Sequence, residues 1–180
     1  MRNYNCLKTN LFEVNGFSLV PIREQDKLAI MKMRNEQIYH LRQNKLLTAE
    51  DQDNYFSSVI SKLFETDQPD QILFSCLEND IFVGYGGLVH INWIDKDSEI
   101  SFIMNTKSEK MHFYKYWNIY LKLIEDVGFK DLNFNKLYTY AYDLRPHLYE
   151  VLEDFGYSKE KEIIDNPIKI IIHSKYNQIL

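Results

Sequence analysis

The side chains that can do chemistry in this sequence do not form a common nucleophile or metal-binding motif. The 180 residues contain no serine in a nucleophile elbow, no paired cysteine and histidine, no Walker loop and no metal-ligand spacing. Only two cysteines are present, Cys6 and Cys76, and Cys76 lies in an apolar run that is typical of a core residue. The sequence therefore predicts no metal site, and the remaining candidates are acid–base, cationic and aromatic side chains.

Glu99 is the best candidate for a general base. It lies in the apolar segment 98–104, where the alternation of a strand places it on one face with Ser101 and Ile103. A carboxylate in this position can accept a proton, directly or through a water molecule. The alternative is an ordinary polar residue on the solvent side of a strand.

Apolar periodicity predicts the elements that position these side chains, in the order β-α-α-β-β-β-α-β-α-β-β, which is an α/β fold with a mixed sheet. The predicted strands are 17–22, 71–77, 81–91, 98–104, 136–142, 157–163 and 168–173. Two helices follow the capping residues Asp26 and Thr48, and two more span 108–127 and 146–155. Close spacing of the second to fourth strands indicates an antiparallel meander, and its glycines indicate a bulge or a close backbone approach. Pro21 lacks a backbone donor, so we expect the first strand at a sheet edge.

Composition limits the partners and the location of the protein. The formal net charge of −5 gives no global basic field, so we expect no nucleic-acid partner. The apolar runs are shorter than the roughly 20 residues of a membrane helix, and the first residues do not resemble a signal peptide. We therefore expect no membrane partner, a cytoplasmic location and a single domain spanning residues 1–180.

In element order and in residues, the chain resembles the GNAT superfamily of acyl-CoA-dependent N-acyltransferases, the GCN5-related N-acetyltransferases. Four stretches carry the resemblance, and with the element order they cover nearly the whole chain: residues 17–26, 81–88, 98–104 and 148–157. The nearest branch is the one that acetylates nucleotide-linked amino sugars or protein N-termini. The resemblance implies a central sheet that splays between its fourth and fifth strands.

The resemblance also implies roles for residues around this splay. The backbone of Phe102, Ile103 and Met104 would hold the thioester on one side, opposite residues 138–142. Glu99 occupies a position where family members often carry a catalytic glutamate. The expected function is acyl transfer, in which an amine loses a proton, an oxyanion is stabilised and a thiolate departs.

The family's general acid is often a tyrosine in the helix after the fifth strand, and the usual position is Leu152 here. Tyr149, one helical turn earlier, is the candidate substitute. The alternative for Tyr149 is a core or surface aromatic residue without a catalytic role.

The sequence departs from the family at the loop that binds the CoA pyrophosphate. Members carry Arg/Gln-x-x-Gly-x-Gly/Ala before the third helix, whereas residues 105–113 contain no glycine. We expect Thr106 or Ser108 to cap this helix. The remaining candidates to contact CoA are Asn105, Lys107, Lys110 and Arg145. The lysines can equally be solvated, and Arg145 can equally pair with Asp143, so the chain either binds acetyl-CoA through a remodelled loop or has lost it.

The resemblance places the acceptor pocket between the first two helices and the meander turn. Five residues are candidates to line it: Arg34, His40, Arg42, His90 and Trp93. Of these, His90 and Trp93 can stack on a sugar or base ring, and a partly structural role is the alternative.

These observations predict an N-acetyltransferase that moves the acetyl group of acetyl-CoA directly to a primary amine of a small molecule, such as a nucleotide-linked amino sugar. One alternative is an acetyltransferase for protein N-terminal or side-chain amines. Another is a GNAT-shaped binding module that has lost CoA binding and catalysis. We expect a monomer or a homodimer.

Overall fold

The computed structural model describes residues 2–165 and 167–178, which form one eight-stranded sheet with helices on both faces. The strands are β1 (Phe12–Val14), β2 (Phe17–Pro21), β3 (Ile72–Glu78), β4 (Ile81–Asn92), β5 (Asp97–Met104), β6 (Lys136–Tyr142), β7 (Ser158–Asp165) and β8 (Ile168–Tyr176). The helices are α1 (Lys27–Glu36), α2 (Ala49–Tyr55), α3 (Thr106–Met111), α4 (Phe113–Glu125) and α5 (Pro146–Asp154). A wide π-helical turn, Phe56–Ile60, continues α2 as far as Leu63, and a second, Asp126–Asp131, follows α4.

The sheet has the order β1-β2-β3-β4-β5-β6-β8-β7, and β5–β6 is its parallel pair. The predicted order of elements is confirmed, with one strand added at the start and the predicted helix 108–127 divided in two. The expectation that the first predicted strand forms an edge is wrong, because β1 pairs with β2 on its outer side. Pro21 is tolerated there because β1 is only three residues long and pairs with Phe17, Ser18 and Leu19, short of the proline.

The predicted meander is confirmed as β3, β4 and β5, which pair antiparallel in sequence order. Gly86 lies at a close approach, because a Cβ atom built on it would be 2.0 Å from the Ser101 carbonyl oxygen and 2.7 Å from the Tyr120 hydroxyl oxygen. The register of β4 shifts twice, once at Val83, between the pairs of Gly84 and Phe82 with β3, and once between Val89 and Asn92, opposite β5.

Helices α1 and α4 pack on opposite faces of the meander. The hydroxyl of Tyr85 accepts a hydrogen bond from Arg34 of α1. The next residue, Gly86, pairs with Phe102, whose ring stacks on Tyr120 of α4 with 3.9 Å between the ring centroids. Successive strand residues point to opposite faces, so the two helices lie on different sides. None of the described helices is long and apolar enough to cross a membrane.

The helix starts agree with the sequence prediction at Thr48 and Pro146, and differ at Asp26 and before Phe113. Thr48 and Asp51 form the predicted capping box. Asp26 precedes α1 but makes no capping bond, because its carboxylate accepts hydrogen bonds from Arg23 and Ser75. The predicted helix 108–127 is two helices, since the backbone of His112 leaves the helical conformation (φ −136°, ψ 21°).

Candidate active site

The parallel strands β5 and β6 diverge after three residue pairs. Asp97, Ser98 and Glu99 pair with Lys136, Leu137 and Tyr138, and no pairing follows. The rest of each strand therefore lacks a partner on the side of the gap. This divergence confirms the predicted splay, which falls between the fifth and sixth strands because β1 adds one to the count.

A cavity of about 710 Å³ occupies the splay and reaches both faces of the sheet. On the face of the sheet that carries α1, its wall includes Arg34. On the other face, its wall includes Trp117 of α4 and Leu148 of α5. Such a volume is within the usual range for small-ligand sites. No group of three histidine, cysteine or acidic side chains in the described part of the chain is arranged to hold a metal ion.

Glu99 lies where the two strands separate, at the wall of the cavity. Its side chain is only 6% exposed, so the alternative of a solvent-facing polar residue is wrong. Arg42 donates to Oε1, and His90 Nε2 lies 3.8 Å from Oε2, beyond hydrogen-bond distance. Burial raises the pKa of the Glu99 carboxyl above its ordinary value of 4.5, although Arg42 and His90 act in the opposite direction. The result is a buried carboxylate with one oxygen available and an increased affinity for a proton.

The bulge between Val89 and Asn92 brings His90 towards Glu99. Val89 still pairs with Glu99, and the pairing resumes only at Asn92 and Asp97. Between them, His90 adopts a left-handed backbone conformation with φ of 51°, which is uncommon for a residue with a side chain. Such conformations cluster at functional sites, because the surrounding structure must support their strain.

A row of tyrosines on β6 faces the same part of the cavity and was not predicted as side chains of the site. Tyr140 lies under Arg42, with the guanidinium carbon 4.6 Å from the ring centroid. Tyr138, Tyr140 and Tyr142 share one face of the strand by alternation, and Tyr140 and Tyr142 line the cavity. The period of two in Lys136–Tyr142 is the signal that could have found them.

Arg34 and His40 line the cavity as predicted. The Arg34 guanidinium donates from Nε to Gln43 Oε1 at 2.9 Å and from Nη1 to the Tyr85 hydroxyl at 2.7 Å. His40 is buried, and burial together with the charge of Arg145 lowers its pKa to about 3. His40 is therefore neutral at physiological pH.

Gln37 is a buried residue that the sequence did not indicate as part of the site. Its amide Nε2 donates to the Met104 carbonyl at 2.8 Å, and its Oε1 lies 3.3 Å from His40 Nε2. Since Oε1 can only accept, His40 Nε2 carries the proton in this bond. Gln37 thus fixes the histidine and closes the end of β5 against α1.

The predicted thioester cradle on β5 is present in part. Phe102 and Ile103 line the cavity, whereas Met104 is fully buried beside it and its carbonyl is taken by Gln37. Across the gap, Thr139 lines the cavity and is 3% exposed, and its hydroxyl oxygen has no hydrogen-bond partner among the described residues. A buried polar atom normally has a partner, so this hydroxyl fits a ligand in the splay.

The residues predicted to contact CoA phosphates are arranged differently from the expectation. Asn105 caps α3 by accepting from Ser108 N–H at 2.9 Å, in place of a threonine or serine cap. Lys107 and Lys110 are exposed on α3 and do not line the cavity. Arg145 does line it, and Nη1 donates to Glu109 of α3 at 3.0 Å instead of pairing with Asp143. The structure thus brings only Arg145 of these cations to the cavity.

Two other predicted site residues lie outside the cavity. The Tyr149 hydroxyl is 3.1 Å from Asp143 Oδ1, and its ring stacks on His173 with 5.1 Å between centroids. Burial and Asp143 raise the pKa of Tyr149, which opposes loss of its proton. Trp93 was predicted to line the pocket, but it does not, because its indole donates to the Pro69 carbonyl at 3.0 Å. Sequence alone could not show this partner, which is 24 residues away.

Comparison with known proteins agrees with this geometry. A family model described as "Acetyltransferase (GNAT) domain" matches residues 19–166. The chain therefore belongs to the GNAT acetyltransferase family and is an acyl-CoA-dependent N-acetyltransferase. A sequence search among curated proteins gave no match.

Solved structures share the fold at low sequence identity. A spermidine N-acetyltransferase from Vibrio cholerae in complex with CoA and spermine superposes with a TM-score of 0.77 at 14% identity, covering 91% of this chain and 97% of the other. A dodecameric spermidine N-acetyltransferase from the same organism gives 0.72 at 16% identity, with 91% and 95% covered. A putative acetyltransferase gives 0.70 at 13% identity, with 93% and 87% covered.

Proposed function

We propose that this protein transfers the acetyl group of acetyl-CoA directly to the primary amine of a small molecule, with Glu99 as the general base. The observation that carries the proposal is the splay, which places a buried carboxylate at the wall of a cavity that reaches both faces of the sheet. The amine acceptor lies on the side of α1, and the acyl donor lies along β5 and β6.

Acetyl-CoA supplies a thioester whose carbonyl carbon is open to attack by an amine. The unpaired edge of β5 beside Phe102 and Ile103 and the unpartnered Thr139 hydroxyl are the groups that would hold it in the splay. Glu99 Oε2 takes the proton from the amine, because Arg42 already occupies Oε1. Tyr142 is the better placed proton donor for the leaving thiolate, since it lines the cavity and Tyr149 does not.

The test is a thiol-release assay with acetyl-CoA and a panel of amines, together with calorimetric titration of acetyl-CoA. The proposal predicts that the protein binds acetyl-CoA and releases thiol in the presence of an amine. A surface variant should retain both properties, whereas Glu99→Gln should bind acetyl-CoA but release no thiol. Absence of binding at millimolar acetyl-CoA would contradict the proposal.

A non-catalytic binding module is the competing function. It is favoured by the segment 105–113, which has no glycine, and by Arg145, whose charge is already neutralised by Glu109. The same titration separates the two functions, because a module without catalysis shows no amine-dependent thiol release. Small amines, nucleotide-linked amino sugars, peptides with free N-termini and the spermidine of the structural relatives belong in the panel.

A further inference from the structure

The cavity contains an arginine whose charge is not balanced by a carboxylate. Three arginines line it, namely Arg34, Arg42 and Arg145. Glu99 neutralises Arg42, and Glu109 neutralises Arg145. Among the side chains that the structure describes, no carboxylate lies within 4 Å of the Arg34 guanidinium.

Arg34 is held in place by neutral groups that leave part of its guanidinium available. An arginine has five N–H donors, and the bonds to Gln43 and Tyr85 use one on Nε and one on Nη1. Three N–H groups remain, one on Nη1 and two on Nη2. The edge between Nη1 and Nη2 has the geometry that matches two oxygens of a carboxylate or phosphate.

One other charged side chain in the cavity wall, the exposed Asp70, also has no ion-pair partner among the described residues. It lies beyond ion-pair distance of Arg34, so it does not neutralise the guanidinium. On the α1 side, the half-buried, fixed cation is therefore the dominant unpaired charge. A multiply protonated amine would be repelled by it, whereas an acceptor with an anionic group would be attracted.

We propose that the acceptor carries, beside its amine, a phosphate or carboxylate group that Arg34 binds. This inference rests on the proposed function and specifies the substrate class of the same site. Arg34 acts in binding and does not take part in proton transfer. Its removal should therefore raise KM and leave kcat nearly unchanged.

The experiment compares matched acceptors with and without the anionic group. The phosphate pair is glucosamine 6-phosphate and glucosamine, the carboxylate pair is the dipeptide Ala-Ala and its C-terminal amide, and spermidine is the polycation. We expect kcat/KM to be at least about tenfold higher for the anionic member of one pair than for its neutral partner, and lowest for spermidine. The pair that shows the difference identifies the anion.

The variant Arg34→Gln should raise KM for the anionic acceptor by roughly 10- to 100-fold and change kcat by less than about threefold, without changing KM for the neutral partner. Arg34→Lys keeps the charge but lacks the paired N–H groups of the guanidinium, and it should recover part of the loss. Lys32→Gln is the matched control, because it removes the same charge from an exposed position on α1. Thermal unfolding of each variant shows whether the fold is retained.

Preferred acetylation of neutral amines or spermidine would overturn the inference and leave the proposed function standing. The same holds if Arg34→Gln slows both members of a pair equally. Failure of acetyl-CoA to bind, with no amine-dependent thiol release, would overturn the proposed function and the inference together.

Discussion

Two arginine–glutamate ion pairs include an arginine that lines the cavity, and the pairs differ in burial. In the pair Arg42–Glu99, the glutamate is 6% exposed and the arginine 43% exposed. In the pair Arg145–Glu109, the two side chains are 11% and 12% exposed. A buried carboxylate held by a solvent-accessible cation can exchange that cation for another partner. A pair with both members buried instead fixes α5 to α3, so we interpret the first pair as catalytic and the second as structural.

The largest expected effect is the loss of catalysis on changing Glu99. Glu99→Gln keeps the shape of the side chain but cannot accept the amine proton, so kcat/KM should fall by about 100- to 1000-fold. The KM for acetyl-CoA should change by less than about threefold, since Arg42 and β5 remain in place. Steady-state kinetics measure both values. A loss of less than threefold in kcat/KM would show that Glu99 is not the base.

The second effect is a loss of stability on breaking the other pair. Arg145→Gln leaves Glu109 largely buried without its cation, and should lower the free energy of unfolding by about 2–3 kcal/mol. The double variant Arg145→Gln/Glu109→Gln should recover part of this loss, because no uncompensated charge remains. Urea unfolding at pH 7 measures the three values. If the single variant unfolds like the unchanged protein and only the KM for acetyl-CoA rises, Arg145 belongs to the co-substrate site instead.

A third experiment compares the tyrosine inside the cavity with the one outside it. Tyr142→Phe should reduce kcat by about tenfold, as expected for loss of a proton donor to the thiolate. Tyr149→Phe should change kcat by less than about twofold, because its hydroxyl is bound at Asp143. Rapid-quench or steady-state assays suffice for this comparison. The reverse order of effects would restore the role that sequence position predicts for Tyr149.

The smallest expected effect is the contribution of Glu99 to the free energy of unfolding as the pH changes. The folded-state pKa of Glu99 is raised by burial, so its protonated form favours folding. Its contribution to stability is full below the ordinary pKa of 4.5 and is lost as the pH rises through the folded value. Glu99→Gln should therefore be slightly more stable than the unchanged protein at pH 7–8.

This difference should shrink as the pH falls towards 4.5, where the glutamate is protonated in the folded state. Urea unfolding across this range provides the measurement. A variant that is less stable than the unchanged protein at pH 8 would show that Arg42 stabilises the carboxylate more than burial destabilises it.

Local patterns were sufficient to predict most elements and the place of Glu99. The meander follows from alternation and short turns, and Pro146 opens α5 as its fixed backbone angle favours. β1 was missed because three residues are too few for a periodic signal. The break at His112 was missed because residues 108–112 contain no glycine or proline to interrupt the predicted helix.

Side-chain partners far apart in sequence could not be predicted. Arg42 meets Glu99 across 57 residues, and Gln37 meets the Met104 carbonyl across 67. Whether an arginine faces a carboxylate or a neutral oxygen depends on such contacts. The sequence therefore indicated Arg34 as a candidate without showing that its charge is unbalanced. It also predicted Trp93 in the pocket, whereas the indole is hydrogen-bonded to a backbone carbonyl outside it.

The cavity reaches both faces of the sheet, and this has a consequence for the order of events in turnover. A gap of this kind lets two ligands meet in its middle without either one passing the other. Neither Cys6 nor Cys76 lines it, so neither thiol is placed to carry the acetyl group between two half-reactions. Initial-velocity plots at varied concentrations of both substrates should consequently intersect, as in a ternary-complex scheme, and no acetylated protein should accumulate when acetyl-CoA is supplied alone.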